Sequence, residues 1–250
     1  LDIKVIELKD VNLYYPLMGL KSHSLQMSVY SKIGGLIGHK GADYTQYVHA
    51  LKDINLTVRN GERLGIVGHN GAGKTTILRL ISGVYPPTSG TASISGKVSA
   101  MTDFYLGMDL NVSGIDNIIF RLIFMGYSYS EARKAIDEIV DFSELGDFIY
   151  LPARTYSTGM FMRLAFAIST HFTPDILVLD EVIGAGDESF RQKALARLDK
   201  LLGDARIVVL SAHDLGAIEK YCTRAIVMSH GQIVFSNTPK EAIEYYKENI

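Results

Sequence analysis

Gly68-His69-Asn70-Gly71-Ala72-Gly73-Lys74-Thr75 constrains the fold of this chain more than any other stretch. The octapeptide fits G-x-x-x-x-G-K-[ST]. It follows a continuous apolar run, Leu64 to Val67, that reads as a buried strand, and it opens a segment, about Gly73 to Ser82, that reads as a helix. A strand, a glycine-rich turn and a helix start in that order converge backbone N–H groups and the positive end of a helix dipole on one point, which suits a phosphate. Lys74 brings a point charge for the outer phosphates. The Thr75 hydroxyl, with Thr76 beside it, stands where Mg²⁺ needs an oxygen ligand. Strand–helix units of this kind predict an α/β fold with a doubly wound, largely parallel sheet.

A phosphate loop that supports chemistry needs a second site for metal and water. Ile176-Leu177-Val178-Leu179-Asp180-Glu181 has the form for it: four apolar residues of buried strand ending in two carboxylates. Asp180 would hold Mg²⁺ through its water shell, and Glu181 would orient or deprotonate the water that attacks the γ-phosphate. Two solvated carboxylates at a strand end are the plainer reading of the hexapeptide alone; its place downstream of the phosphate loop favours the catalytic one.

Around these motifs, Arg206 to Ser211 reads as another apolar strand, and Glu131–Val140, Met160–Ser169 and Ser189–Leu202 read as helices. Residues 3–13 and 51–58 alternate apolar and polar as strands do, whereas Pro16 to His49 is too long for a hairpin connection and reads as an insert. Two short strands joined at His230-Gly231 and a helix over Lys240–Lys247 close the chain. No internal repeat stands out.

Composition removes several classes. Lys+Arg 25 against Asp+Glu 27 leaves a net charge of -2, without the basic excess that usually marks a nucleic-acid binder. No apolar stretch approaches the ~20 residues of a membrane-spanning helix. The lone Cys222 has no internal disulfide partner, and residues 1–10 lack a basic-then-apolar leader, so a cytoplasmic address is expected. A mean hydropathy of +0.13 leaves room for apolar surface meant for a partner.

The segment between the two motifs narrows the family. Tyr156-Ser157-Thr158-Gly159-Met160 opens a helix about twenty residues before Asp180, and here the chain resembles the ATP-binding cassette (ABC) ATPases, whose signature is usually LSGGQ. Ser157 and Gly159 match its serine and second glycine; Tyr156, Thr158 and Met160 depart from it. A lone N-cap is the bland alternative. The resemblance implies an ABC nucleotide-binding cassette spanning residues 1–250: a RecA-like core, an antiparallel β subdomain, a helical subdomain over about 109–172, and a return to the core over 173–250. It implies ATP and Mg²⁺ as ligands and a head-to-tail dimer. In that dimer Ser157, Thr158 and Gly159 of one copy close over the ATP held by Gly68–Thr76 of the other. It further implies that His213 contacts the γ-phosphate and that Gly184–Asp187 passes information across the dimer. An aromatic residue of the first strand, Tyr15 in preference to Tyr14, would stack on adenine, with core packing as the competing role. The usual metal-contacting glutamine is absent, and Asp103 is a candidate replacement.

The departures resemble the polysaccharide-export branch, whose members serve O-antigen, capsule and teichoic-acid transporters. They are the Y-S-[ST]-G-M form, the missing glutamine, Gly107-Met108-Asp109 with Ser113–Asn117 after it, and the insert ahead of Ala50. The resemblance implies an ATPase at the cytoplasmic face of the membrane that drives a separate integral membrane subunit and, through it, a lipid-linked polysaccharide. Phe120, Ile123, Phe124 and Met125 are candidates for the groove that receives that subunit, with ordinary core packing as the plainer role for most of them. The insert, with three Lys against one Asp, either faces the membrane or is a passive loop. No carbohydrate-binding domain is expected within residues 1–250. Another ABC transporter branch, or a soluble ABC ATPase not coupled to transport, is the rival reading.

Overall fold

The computed structural model describes residues 5–16, 37–39, 46–101, 105–180, 188–212 and 214–250. They form two compact units, residues 1–95 with 209–250, and residues 96–208. The range expected for the helical subdomain, about 109–172, falls within the residues of the second unit.

The first unit contains an antiparallel sheet of β1 (Val5–Pro16), β2 (Ile37–His39), β3 (Gln46–Arg59) and β5 (Ser89–Ser95), in the order β2-β3-β1-β5. Its two long strands carry a short repeat that the sequence reading overlooked: Leu8-Lys9-Asp10-Val11-Asn12-Leu13 and Leu51-Lys52-Asp53-Ile54-Asn55-Leu56. The two copies face each other antiparallel, with Leu8 opposite Leu56, Val11 opposite Ile54 and Leu13 opposite Leu51. Asp10 and Asp53 both adopt a left-handed backbone, φ 51 and 48, which Asp tolerates better than most residues. Each puts a bulge in its strand and flips the inward-facing parity, so the buried residues run Ile6, Leu8, then Val11, Leu13, and on β3 Leu51, then Ile54, Leu56, Val58. Reciprocal amide bonds close the pair. Asn55 donates to Asp10 Oδ1 at 2.9 Å and accepts from the Asp10 N–H; Asn12 donates to Asp53 Oδ1 at 2.9 Å and accepts from the Asp53 N–H.

β4 (Arg63–Val67) runs parallel to β9 (Arg224–Ser229), which pairs antiparallel with β10 (Gln232–Asn237). This unit also holds α1 (Lys74–Ile81), α6 (Leu215–Tyr221) and α7 (Pro239–Asn249). β8 (Ile207–Ser211) carries the division between the units and is buried along its whole length, as a parallel-sheet strand of Ile-Val-Val-Leu should be.

In the second unit β6 (Val98–Met101) pairs parallel with β7 (Ile176–Asp180). Its helices are α2 (Gly114–Phe124), α3 (Tyr129–Ser143), α4 (Thr158–Ser169) and α5 (Glu188–Asp204), with 3-10 turns at Gly146–Tyr150 and Ala153–Thr155. They enclose a core that includes Ile118, Leu122, Ile139, Phe142, Phe166 and Phe190. Two polar residues one turn apart on α2 are buried in it. Asn117 accepts from the Asp109 N–H and donates to the Asp109 carbonyl, while Arg121 donates to the Leu106 carbonyl at 2.8 Å and to Ser169 Oγ at 2.9 Å. They fix the backbone of residues 106–109 against the helices.

The supposed insert differs in its flanks. β1 reaches Pro16, Ile37–His39 pairs with β3, and β3 begins at Gln46, so part of Pro16–His49 belongs to the sheet.

Candidate active site

The loop Gly68–Lys74 is shaped by the backbone beneath it. A Cβ at Gly68 would stand 2.5 Å from the Met228 carbonyl oxygen; Gly73, at φ 105, would put one 3.1 Å from the Ala50 carbonyl oxygen. Neither position admits a side chain without moving main chain. Two hydrogen bonds hold these surfaces in place: Gly231 N–H to the Ala72 carbonyl at 2.9 Å, and Lys52 N–H to the Gly231 carbonyl at 2.8 Å. Lys52 lies in the second copy of the repeated hexapeptide, so the bulged sheet helps to seat the loop. His230, the other residue of that turn, sets its ring 5.3 Å from the His69 ring.

Lys74 arches back over the loop, its Nζ donating to the Gly68 carbonyl at 2.6 Å and the His69 carbonyl at 3.0 Å. The N-cap of α1 is Gly73, which has no side chain to cap the helix, and the first turn holds no acidic residue. Asn70, Gly71 and Thr75 form the exposed rim of the loop. An ammonium group, a helix N-terminus without a carboxylate and a backbone too tight for side chains make an anion cradle. The Thr75 hydroxyl at its rim is suited to an oxygen-seeking cation that takes its other ligands from phosphate and water. Among the described residues no group of three or more His, Cys, Asp and Glu stands together as a metal cage.

The two aromatic candidates of β1 part company. Tyr14 stacks on His49, ring centroids 4.2 Å apart, with Tyr47 edge-on at 5.0 Å. Tyr15 points to the other side, where it meets Tyr85 edge-on at 5.4 Å and hydrogen-bonds the side chain of Thr76. Burial pushes the Tyr15 phenol above its ordinary range, with the Thr76 hydrogen bond acting against that shift. Of the two, Tyr15 is therefore the one joined to the phosphate-loop helix.

In the second unit, Asp180 ends β7 half-buried, after four fully buried residues. Ser157 is the N-cap of α4 and accepts from the Met160 N–H at 3.2 Å; Ser157 and Thr158 are exposed. Among the described residues, a Cβ on Gly159 would meet only Ser157 Oγ, at 3.9 Å. The turn thus presents a hydroxyl and backbone N–H groups to open space. Beside it runs an open groove lined by Tyr105, Leu110, Tyr156, Ser157 and Phe161, with Tyr105 stacked on Phe161 at 5.1 Å. Of the four apolar residues singled out on and after α2, Phe120, Ile123 and Phe124 are 48%, 45% and 62% exposed, and Met125 is half-buried against the core.

Asp103, Glu181, His213 and the loop Gly184–Asp187 lie outside the described residues, as do residues 17–36 and 40–45 of the insert. Sequence reasoning missed the repeated hexapeptide and the role of His230-Gly231 under the loop. The identity of LKDVNL and LKDINL, apart from Val for Ile, was the available signal for the first; nothing in the sequence signalled the second.

Residues 51–184 match the family model described as ABC transporter. The chain is 43% identical over 215 residues to the O-antigen export system ATP-binding protein RfbB of Myxococcus xanthus, an alignment covering 86% of this chain and 49% of that protein. It thus spans about half the length of that relative. With the O-antigen export system ATP-binding protein RfbE of Yersinia enterocolitica it shares 41% identity over 226 residues, 90% of this chain and 94% of the other. Among solved structures, a post-hydrolysis dimer of an ATP-binding cassette bound to ADP and Pi has the same fold, with a TM-score of 0.66 at 22% identity, covering 94% of this chain and 98% of that one.

Proposed function

Since this chain belongs to the ABC transporter family, we propose that it is an ATP-hydrolysing subunit that powers export of a lipid-linked polysaccharide through a separate membrane subunit. One observation carries the reading: the 41% identity extends over 94% of the length of a protein named for O-antigen export. The cradle of Gly68–Thr76, built to exclude its own side chains and to gather positive charge, supports the ATP part of it.

In this reading Gly68, His69, Asn70, Gly71, Ala72 and Gly73 wrap the β-phosphate with backbone N–H groups. Lys74 leaves the loop carbonyls for the outer phosphates, Thr76 stands behind them, and Tyr15 supports the adenine. Mg²⁺, held by Thr75 and Asp180 with Asp103 as a further candidate, would neutralise phosphate charge. Glu181 takes the proton of the attacking water, and His213 contacts the γ-phosphate. Ser157, Thr158 and Gly159 act on the nucleotide of a second copy of the chain, for which the open space around Gly159 leaves room.

The exposed side chains of Phe120, Ile123 and Phe124 suit docking of an apolar element of the membrane subunit, which would hold the chain at the cytoplasmic face. No described helix is long and apolar enough to cross a membrane. The insert over residues 16–49, basic in balance, would face the membrane or the anionic headgroup of the lipid carrier.

The test is to co-purify the chain with its membrane subunit, reconstitute both in vesicles, and measure ATP hydrolysis as lipid-linked glycans are added. Stimulation by a lipid-linked glycan is expected. Hydrolysis that responds to no such glycan, together with normal cell-surface polysaccharide when the gene is deleted, would remove the export assignment and leave the ATPase.

A further inference from the structure

Tyr156 stands where the ABC signature usually has leucine, and its ring carries the one polar atom that leucine cannot supply. The hydroxyl donates to the Phe148 carbonyl at 2.8 Å and lies 3.2 Å from the Leu151 carbonyl. It also packs against Gly114, the first residue of α2. The residue before the N-cap of α4 thus bonds through this oxygen to the 3-10 turn Gly146–Tyr150 with Leu151, and the start of α2 packs against it. Gly114 is fitted to this junction, because a Cβ there would fall 2.5 Å from the Tyr156 hydroxyl and 2.6 Å from Ile149 Cδ1. Burial raises the phenol above its ordinary range, so it stays a donor at neutral pH.

The turn held in this way is not core. Phe148, Tyr150 and Leu151 are 51%, 71% and 45% exposed, although Ile149 between them is buried. Further backbone bonds extend the junction without touching the signature itself: Ala153 N–H to the Val112 carbonyl at 2.9 Å, and Arg154 N–H to the Leu110 carbonyl at 2.8 Å. An exposed apolar turn is thus joined to the residue that precedes Ser157 by a side-chain hydroxyl, in addition to the short chain between them, in which the Tyr156 N–H donates to the Ala153 carbonyl at 3.1 Å.

We propose that Tyr156 is a positioning residue whose hydroxyl couples the exposed turn 146–151 to the placement of Ser157, and so to the rate of ATP hydrolysis. The inference rests on the reading of Ser157–Gly159 as part of the ATP site. Displacement of the turn pulls the Phe148 carbonyl, and with it the signature N-cap; closure of the signature on nucleotide, in return, steadies the turn.

Tyr156→Phe keeps the ring and removes the hydroxyl's bonds to the turn. In the full-length chain with Mg²⁺ and ATP, the expected result is a kcat lower by about three- to ten-fold, the worth of one hydrogen bond. KM for ATP should stay within about two-fold, and the melting temperature should be nearly unchanged, since a single exposed-side hydrogen bond weighs little against a whole domain. Amide exchange gives a second measurement: a non-hydrolysable ATP analogue should slow exchange at residues 146–151 in the parent chain and leave it unslowed in Tyr156→Phe. An unchanged kcat overturns the inference. So does a kcat loss matched by a lower melting temperature and a raised KM, which would make Tyr156 a packing residue. Should Tyr156→Phe not fold, the parent chain decides alone, because exchange at 146–151 that ignores the analogue is incompatible with coupling. Ser157→Arg, run alongside, separates the two levels: if it hydrolyses ATP normally, it is the signature reading that fails.

Discussion

Two glycine-bearing turns open helices in this chain, and their glycines answer to different surroundings. At Gly68 and Gly73 the fold itself forbids a side chain, because the Met228 and Ala50 carbonyls lie 2.5 and 3.1 Å from where Cβ would be. At Gly159 the nearest atom to a Cβ is Ser157 Oγ at 3.9 Å, and among the described residues nothing else is within 4 Å. The first turn is completed by its own chain. The second is a helix start with an exposed serine, where no described residue packs against the glycine; in the proposed function a second copy of the chain supplies its surroundings. A protein that needs two copies to surround one nucleotide would be built with this asymmetry.

The largest expected effect falls on the self-completed turn. Lys74→Ala removes the side-chain ammonium of the cradle and should abolish measurable ATP binding by fluorescence or calorimetry; tight binding by that variant would break the account of the loop. Glu181→Gln should come next. It leaves the cradle intact, so ATP binding persists while turnover drops by about 10² to 10⁴, as loss of a general base does. A stable ATP-dependent dimer should then be trapped, visible by size-exclusion chromatography with light scattering. Ser157→Arg tests the outward-facing turn: binding to the isolated chain should match wild type, and hydrolysis should be lost because a long cation fills the space a second copy needs. Normal turnover by Ser157→Arg would erase the difference between the two turns.

How much of this was legible in the sequence depends on whether a feature is local. The phosphate loop, the strand ending in Asp180 and the helix that opens at Ser157 are each contiguous, and β4, β7, β8, α4 and α7 lie within a few residues of where periodicity put them. β5 was not readable, because Ser89–Ser95 is a largely exposed run of Ser, Gly and Thr with little apolar alternation. α2 was not readable as a helix because Gly114, Asn117 and Arg121, polar or small residues, occupy its buried face. The bulged pair at Asp10 and Asp53 needs two strands forty-three residues apart to be seen together, although each hexapeptide was in view. Tyr15 could be preferred over Tyr14 but not separated from it; the separation comes from Tyr14 stacking on His49 and from Thr76 reaching Tyr15, both long-range contacts. The Tyr156 hydroxyl is the same case, with two carbonyl partners five and eight residues back and Gly114 of α2 packed against it.

The finest test of the comparison uses the same substitution twice. Gly68→Ala forces a methyl group against the Met228 carbonyl, so β9 or the loop has to shift, and destabilisation of about 1 to 3 kcal/mol is expected together with weakened ATP binding. Gly159→Ala meets open space in the first turn of α4, where alanine is the better helix former, and the fold should become more stable by up to about 1 kcal/mol. The added methyl nevertheless lies on the surface that a partner's nucleotide would approach, so steady-state hydrolysis should fall while ATP binding to the isolated chain stays as it was. Opposite signs for stability and activity at Gly159, and matching losses at Gly68, follow only if one turn is shaped by its own chain and the other by a second copy. Chemical denaturation for each variant, paired with ATPase rates measured across protein concentration, gives both readings. A Gly159→Ala chain that is destabilised, or that keeps full activity, would place both turns in the same class.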